Sequence, residues 1–193
     1  MIRKVKGVLF ADYVRMVRSH KGVDWAARLE PQDLQYLKGR ADPAGWYPMA
    51  TFERLGNAIL SEVASGDLEG VRMWGRLSVD QLLAASPELL RPGDPLETLM
   101  RFRVLRSTFF DFEALQVTTL IDEYAEIVIG YHMGKLAEEA ASYQTMGFFE
   151  RLLELSGVID VYARFKERSW AGDWRTLLAL SWRAPPHASP PSG

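Results

Sequence analysis

The sequence predicts an α+β fold, a helical lobe over residues 1–107 followed by a four-stranded antiparallel sheet in ββαββ order over residues 108–183. Three observations carry this. Apolar residues recur at helical spacing up to about residue 106, the period shortens to two after Thr108, and one long helical stretch separates two alternating strand pairs. Its 193 residues suit a single domain able to bury a real core.

In the first predicted helix, residues 8–19, Leu9, Tyr13, Met16 and Val17 share one face while Asp12, Arg15 and Arg18 point away. Lys21-Gly22 closes it, and Pro31 opens a short helix over 32–38 that Gly39 stops. Asp42-Pro43-Ala44-Gly45 is a turn signal. Trp46-Tyr47-Pro48 leads into the next helix, with Pro48 in its first turn and Phe52, Leu55, Ile59 and Val63 as its buried stripe. Residues 68–85 read as a helix interrupted near Gly75, and Asp94-Pro95 starts another that runs to about Arg106.

Beyond Thr108, Val117, Thr119 and Ile121 are expected on one face of a strand, and Ile127, Ile129 and Tyr131 on one face of the next, with Asp122-Glu123-Tyr124 as the hairpin loop. Residues 135–156 form a helix that Gly157 caps. Its second half (Met146, Phe148, Phe149, Leu152, Leu153, Leu155) is apolar on more than one side, which predicts cover from both the sheet and another layer. The last pair alternates Val161, Ala163 and Phe165 against Tyr162, Arg164 and Lys166, turns at Ala171-Gly172-Asp173 and returns through Leu178, Leu180 and Trp182. Residues 184–193, rich in proline, are expected to be a disordered tail.

Composition narrows the function. A formal net charge of -2 gives no broad pull toward nucleic acid, and no apolar run reaches the roughly 18 to 20 residues that span a bilayer, so neither partner is expected. The chain has no cysteine, which removes disulfides and thiolate chemistry. Its opening residues carry no secretory signal pattern, and a cytoplasmic location is the expectation.

Lys6-Gly7-Val8-Leu9-Phe10, Trp46-Tyr47-Pro48 with Phe52, and Gly147-Phe148-Phe149 with Gly157 give the chain a resemblance. It resembles the heme nitric-oxide-binding (H-NOX) fold and its vinyl-reductase-like relatives, and more closely a myxobacterial paralogous family of chains of this length. Heme-binding members carry Tyr-x-Ser-x-Arg after the second strand, which grips the porphyrin propionates, and an axial histidine on the preceding helix. Here the motif falls on Tyr131, Met133 and Lys135, and the helix 96–106 has no histidine, its centre being Arg101-Phe102-Arg103. The resemblance therefore implies the scaffold without its usual iron ligand, and no cofactor is expected. Tyr131 and Lys135 are the candidates for a retained anionic contact, and Phe102 and Trp74 for the lining of a ligand cavity.

Other chemistry is thin. His20 ends a helix, where an imidazolium suits the dipole; His132 lies beside the sheet as a structural residue, and His187 lies in the tail. Gly130 to Leu136 is one residue short of a phosphate loop, and Leu136 stands where that loop needs a hydroxyl. The acid pairs Asp122-Glu123 and Glu138-Glu139 read as solvated faces. Trp25, Trp46 and Trp74 read as core or cavity lining, Trp182 as core, and Trp170 and Trp174 flank the last turn. The leading expectation is a non-enzymatic regulatory or sensory module taking a small apolar ligand or a protein partner. A homodimerising adapter using Trp170, Trp174 and Tyr162 is the alternative. A further one is an enzyme acting on a tetrapyrrole or aromatic compound, which an enclosed cavity with convergent polar groups would favour; a filled core would favour the adapter.

Overall fold

A computed structural model describes residues 2–185. The predicted tail beyond residue 185, with His187, lies outside the described residues. The helical lobe contains α1 (Gly7–Ser19), α2 (Pro31–Leu37), α3 (Met49–Glu62), α4 (Leu68–Ala85) and α5 (Pro95–Leu105), together with short strands β1 (Lys4–Lys6) and β2 (Trp46–Pro48). The second lobe runs β3 (Leu115–Ile121), β4 (Tyr124–Ile129), α6 (Lys135–Leu155), β5 (Ile159–Glu167) and β6 (Thr176–Arg183). Its sheet order is β3-β4-β6-β5, all antiparallel, so the two hairpins join through β4 and β6.

Trp46-Tyr47-Pro48 is not the first turn of a helix. Those residues pair antiparallel with Lys4–Lys6, and Pro48 is the N-cap of α3, its φ of -63° and ψ of 132° still extended. Pro48 lacks an N–H, and the cross-strand bond here comes from the next residue, the Met49 amide donating to the Arg3 carbonyl at 2.9 Å, so the ladder tolerates proline at this position. The β3 alternation also differs from expectation. Val117 opposes Ile127 on the buried face, but a bulge at Thr118 puts Thr119 opposite Glu126 and Ile121 opposite Tyr124 on the outer face. One inserted residue inverts every side chain after it.

Helix α6 lies between the sheet and α4, as its two-sided apolar pattern predicts. Phe149, Leu152 and Leu153 have no exposed surface. Nor is α4 interrupted at Gly75: it is continuous from Leu68 to Ala85. Gly75 and Gly147 let two backbones touch. A Cβ on Gly75 would overlap the Gln144 carbonyl, and one on Gly147 would overlap the Arg72 carbonyl. Ion pairs flank this crossing. The buried Glu150 carboxylate accepts from both Nε (2.9 Å) and Nη2 of Arg72, and Arg76 Nη2 reaches Glu154 at 2.6 Å.

In the helical lobe, Asp33 is fully buried and takes two bonds of 2.7 Å from Arg54. Burial pushes its carboxyl up, but hydrogen bonds from Arg54 and Thr51 outweigh that and leave it below the usual range. On the outer sheet face Lys166 (2.7 Å) and the Tyr124 hydroxyl (2.6 Å) both bond Glu126 Oε1. Lys166 first, then Tyr124 and Thr119, pull the Glu126 carboxyl down to about 2 against a desolvation effect that raises it.

Two predictions follow from this packing. Gly147→Ala destabilises the fold by about 2 kcal/mol in urea unfolding, because a methyl must displace backbone; helix propensity alone would raise stability by about 1 kcal/mol, so a gain would contradict the crossing. Glu126 has a depressed folded value, so the stability it supplies is complete above the ordinary value of 4.5 and is lost as pH falls toward about 2. Glu126→Gln should flatten the acid limb of the melting-temperature profile in that window, a loss of about 1 kcal/mol after solvent screening; an unchanged limb would contradict it.

Candidate functional site

The lobes meet around a cavity of about 90 Å³. Helix α5 points Phe102 into it, 98 % buried and edge-on to Phe149 with centroids 4.8 Å apart. The inward run Ile127, Ile129 continues past the end of β4 and delivers Tyr131, whose ring lies 5.5 Å from that of Phe110. From α1 comes Tyr13, stacked on Phe52 at 4.2 Å, and from α6 come Gln144, Thr145 and Phe148. A smaller pocket of about 20 Å³, holding Trp74, shares Tyr13, Phe52, Ala141 and Gln144 with the first. The sequence candidates therefore divide: Tyr131 and Phe102 line one cavity, while Trp74 lies across the Tyr13–Gln144 hydrogen bond of 2.6 Å.

Hydroxyl bookkeeping fixes the polarity of the wall. Thr145 Oγ1 gives its proton to the Ala141 carbonyl at 2.8 Å, so the 2.5 Å contact with Tyr131 is one in which the phenol donates. Tyr13 donates to Gln144 Oε1, and Ser78 to the Gly75 carbonyl at 2.7 Å. Burial pushes both phenols well above the ordinary tyrosine range. For Tyr13 the Asp12 charge adds to this, and for Tyr131 the Glu138 charge does. Asp12, at the cavity's edge, is raised by burial despite Arg15 beside it at 2.8 Å.

Lys135 does not join Tyr131. It lines an open groove on the other side of the loop, with His132, Trp170, Trp174 and Arg175. The loop between β4 and α6 is held by three side chains. Arg3 donates to the carbonyls of Tyr131 (2.9 Å) and His132 (2.7 Å), Glu138 accepts from the amides of Tyr131 and Met133 (2.9 Å each), and Glu53 accepts from Gly134 (2.8 Å). Glu138 is thus not a solvated carboxylate: it is 95 % buried, and those two amides with the α6 N-terminus compensate its burial. His132 has φ of 56°, a left-handed conformation that these bonds sustain.

A porphyrin gripped as in the fold's heme-binding members would lie between Tyr131 and α5, and the donor set there does not fit one. The lining holds no imidazole or sulfur. Its two phenols are held protonated by burial and already donate to neighbours. On the loop, the Met133 amide is bonded to Glu138, and Lys135 faces the outer groove.

Of the aromatic residues expected at an interface, Trp170 packs inward on Phe165 (5.1 Å) and Tyr143, while Trp174 is 82 % exposed beneath Arg175. Tyr162 is 62 % exposed on the sheet face opposite Phe165. Trp170 and Trp174 both border the groove beside Lys135, and Tyr162 is not among its lining residues. Trp46 is 40 % exposed under Lys6, and Trp25 bonds the His20 carbonyl, so neither lines the cavity. His20 is the C-cap residue of α1, and its Nδ1 lies 2.9 Å from the Met16 carbonyl.

No family model matches the chain, and no curated protein does. Among solved structures it is similar to the Fe(II) unliganded H-NOX protein from K. algicida, with a TM-score of 0.66, 11 % identity and coverage of 95 % of this chain and 100 % of that one. A mutant of T. tengcongensis H-NOX gives 0.61 at 13 % identity over 93 % and 98 %. An oxygen-binding H-NOX domain related to soluble guanylate cyclases gives 0.59 at 14 % identity over 93 % and 96 %. The helical lobe and the ββαββ lobe together have the H-NOX fold.

Proposed function

We propose that the chain is a non-enzymatic regulatory or sensory module, a heme-free member of this fold that takes a small, largely apolar ligand between its lobes. The observation that carries the reading is the cavity itself: several times the roughly 10 to 15 Å³ one water needs, walled by Phe102, Phe110 and Phe148, with an oxygen-bearing end at Tyr131 and Tyr13. An oxygen-binding H-NOX domain among the structural neighbours supports it by analogy. The cavity has convergent polar groups, the feature that favours an enzyme, but they are hydroxyls with their protons already committed and no nucleophile paired with a base. Membership of a myxobacterial paralogous family and a cytoplasmic location belong to the same reading.

Hemin titration tests the heme-free element. The expected outcome is weak, non-stoichiometric absorbance change; a sharp one-to-one Soret band that Tyr131→Phe abolishes would reject it.

A second reading, a homodimerising adapter, is favoured by exposed Trp174 and Tyr162. It expects a dimer in sedimentation that Trp174→Ala weakens at least tenfold, and a strictly monomeric profile would count against it.

A further inference from the structure

Four hydroxyls line the interlobe cavity, and each has given its proton to the protein: Tyr131 to Thr145, Thr145 to the Ala141 carbonyl, Tyr13 to Gln144 Oε1, and Ser78 to the Gly75 carbonyl. What they turn toward a guest is lone pairs. Asp12, the acid on the rim, adds acceptors of the same kind. The Gln144 side-chain NH2 remains as a donor. The rest of the wall is hydrocarbon and ring. A guest carbonyl or carboxylate would set lone pairs against lone pairs; a hydroxyl or amine would meet acceptors that are otherwise unused and desolvated. Tyr13 bonds Gln144 and Tyr131 bonds Thr145, adjacent residues of α6, so neighbouring positions of one helix hold the two phenol oxygens at the cavity wall.

Resting on the ligand-binding reading above, we infer that the cavity selects an uncharged single-ring or similarly sized amphiphile carrying one hydrogen-bond donor. The ring lies among Phe102, Phe110 and Phe148, and the donor is directed at the oxygens of Tyr131 and Tyr13. The excess of acceptors over the single Gln144 amide donor confers the selectivity, and the Tyr131–Thr145–Ala141 chain maintains it by fixing which way each proton points.

The test is calorimetric titration of the full chain with phenol, anisole, toluene and benzoate. Phenol should bind about tenfold more tightly than anisole and toluene, the value of one net hydrogen bond, and benzoate should not bind. Tyr131→Phe should bring the phenol-to-toluene ratio toward one; Tyr13→Phe serves if that variant melts early. Equal affinities for phenol and toluene, or a preference for anisole or benzoate, would overturn the donor inference while leaving the cavity as a ligand site. Binding of none of the four, or phenol binding that survives Ala141→Leu, would instead overturn the ligand-binding reading beneath it.

Discussion

Backbone contact between α4 and α6 is the constraint on which the interior depends. Gly75 and Gly147 remove the side chains that would hold the helices apart, and each glycine rests on the other helix's carbonyl. The approach is close enough that the Gln144 carbonyl abuts α4 while the Gln144 side chain reaches Tyr13 on α1. Ser78, one turn from Gly75, is brought to the same space, and Phe148 follows Gly147 into it. The arginine and glutamate pairs along the crossing hold its register, and the buried Glu150 makes slippage costly because a displaced carboxylate would be left unpaired. A helix pair fixed this rigidly can keep a cavity open where softer packing would collapse into it.

The loop leading into α6 is the second fixed point. Its carbonyls are held by Arg3 from the N-terminal segment and its amides by Glu138 and Glu53, so side chains from three separated parts of the chain satisfy it. Glu138 supplies a carboxylate to these amides from within the protein. Tyr131 is turned inward as a consequence and Lys135 outward, which separates an aromatic interior site from a cationic, tryptophan-lined exterior groove.

Much of the architecture is legible in the sequence because period and punctuation are local signals. The helical spacing before residue 106, the alternation after it, and Gly157 at the end of α6 with φ of 97° all correspond to observed elements. Non-local features are less legible. Gly75 reads as a helix breaker until Gln144 is seen beneath it; the bulge at Thr118 is invisible in a sequence that alternates straight through it; and Trp46 joins a strand only because Lys4–Lys6 lies alongside. Of the residues lining the interlobe cavity, Tyr131 and Phe102 stand out in the sequence only through the family resemblance, whereas Thr145 and Gln144 carry no local mark. Glu138 offered one signal, an acid in the first turn of a helix, but an adjacent Glu139 made the pair resemble a solvated face.

Crossing, loop and proton arrangement together support the proposal that the interior takes a small organic guest and not a porphyrin. Native mass spectrometry of the protein isolated from its source without added cofactor tests this most directly. The expected result is the chain carrying an adduct far smaller than a porphyrin, lost when Ala141 is enlarged to leucine. A mass increment equal to one heme, with its iron, would contradict it.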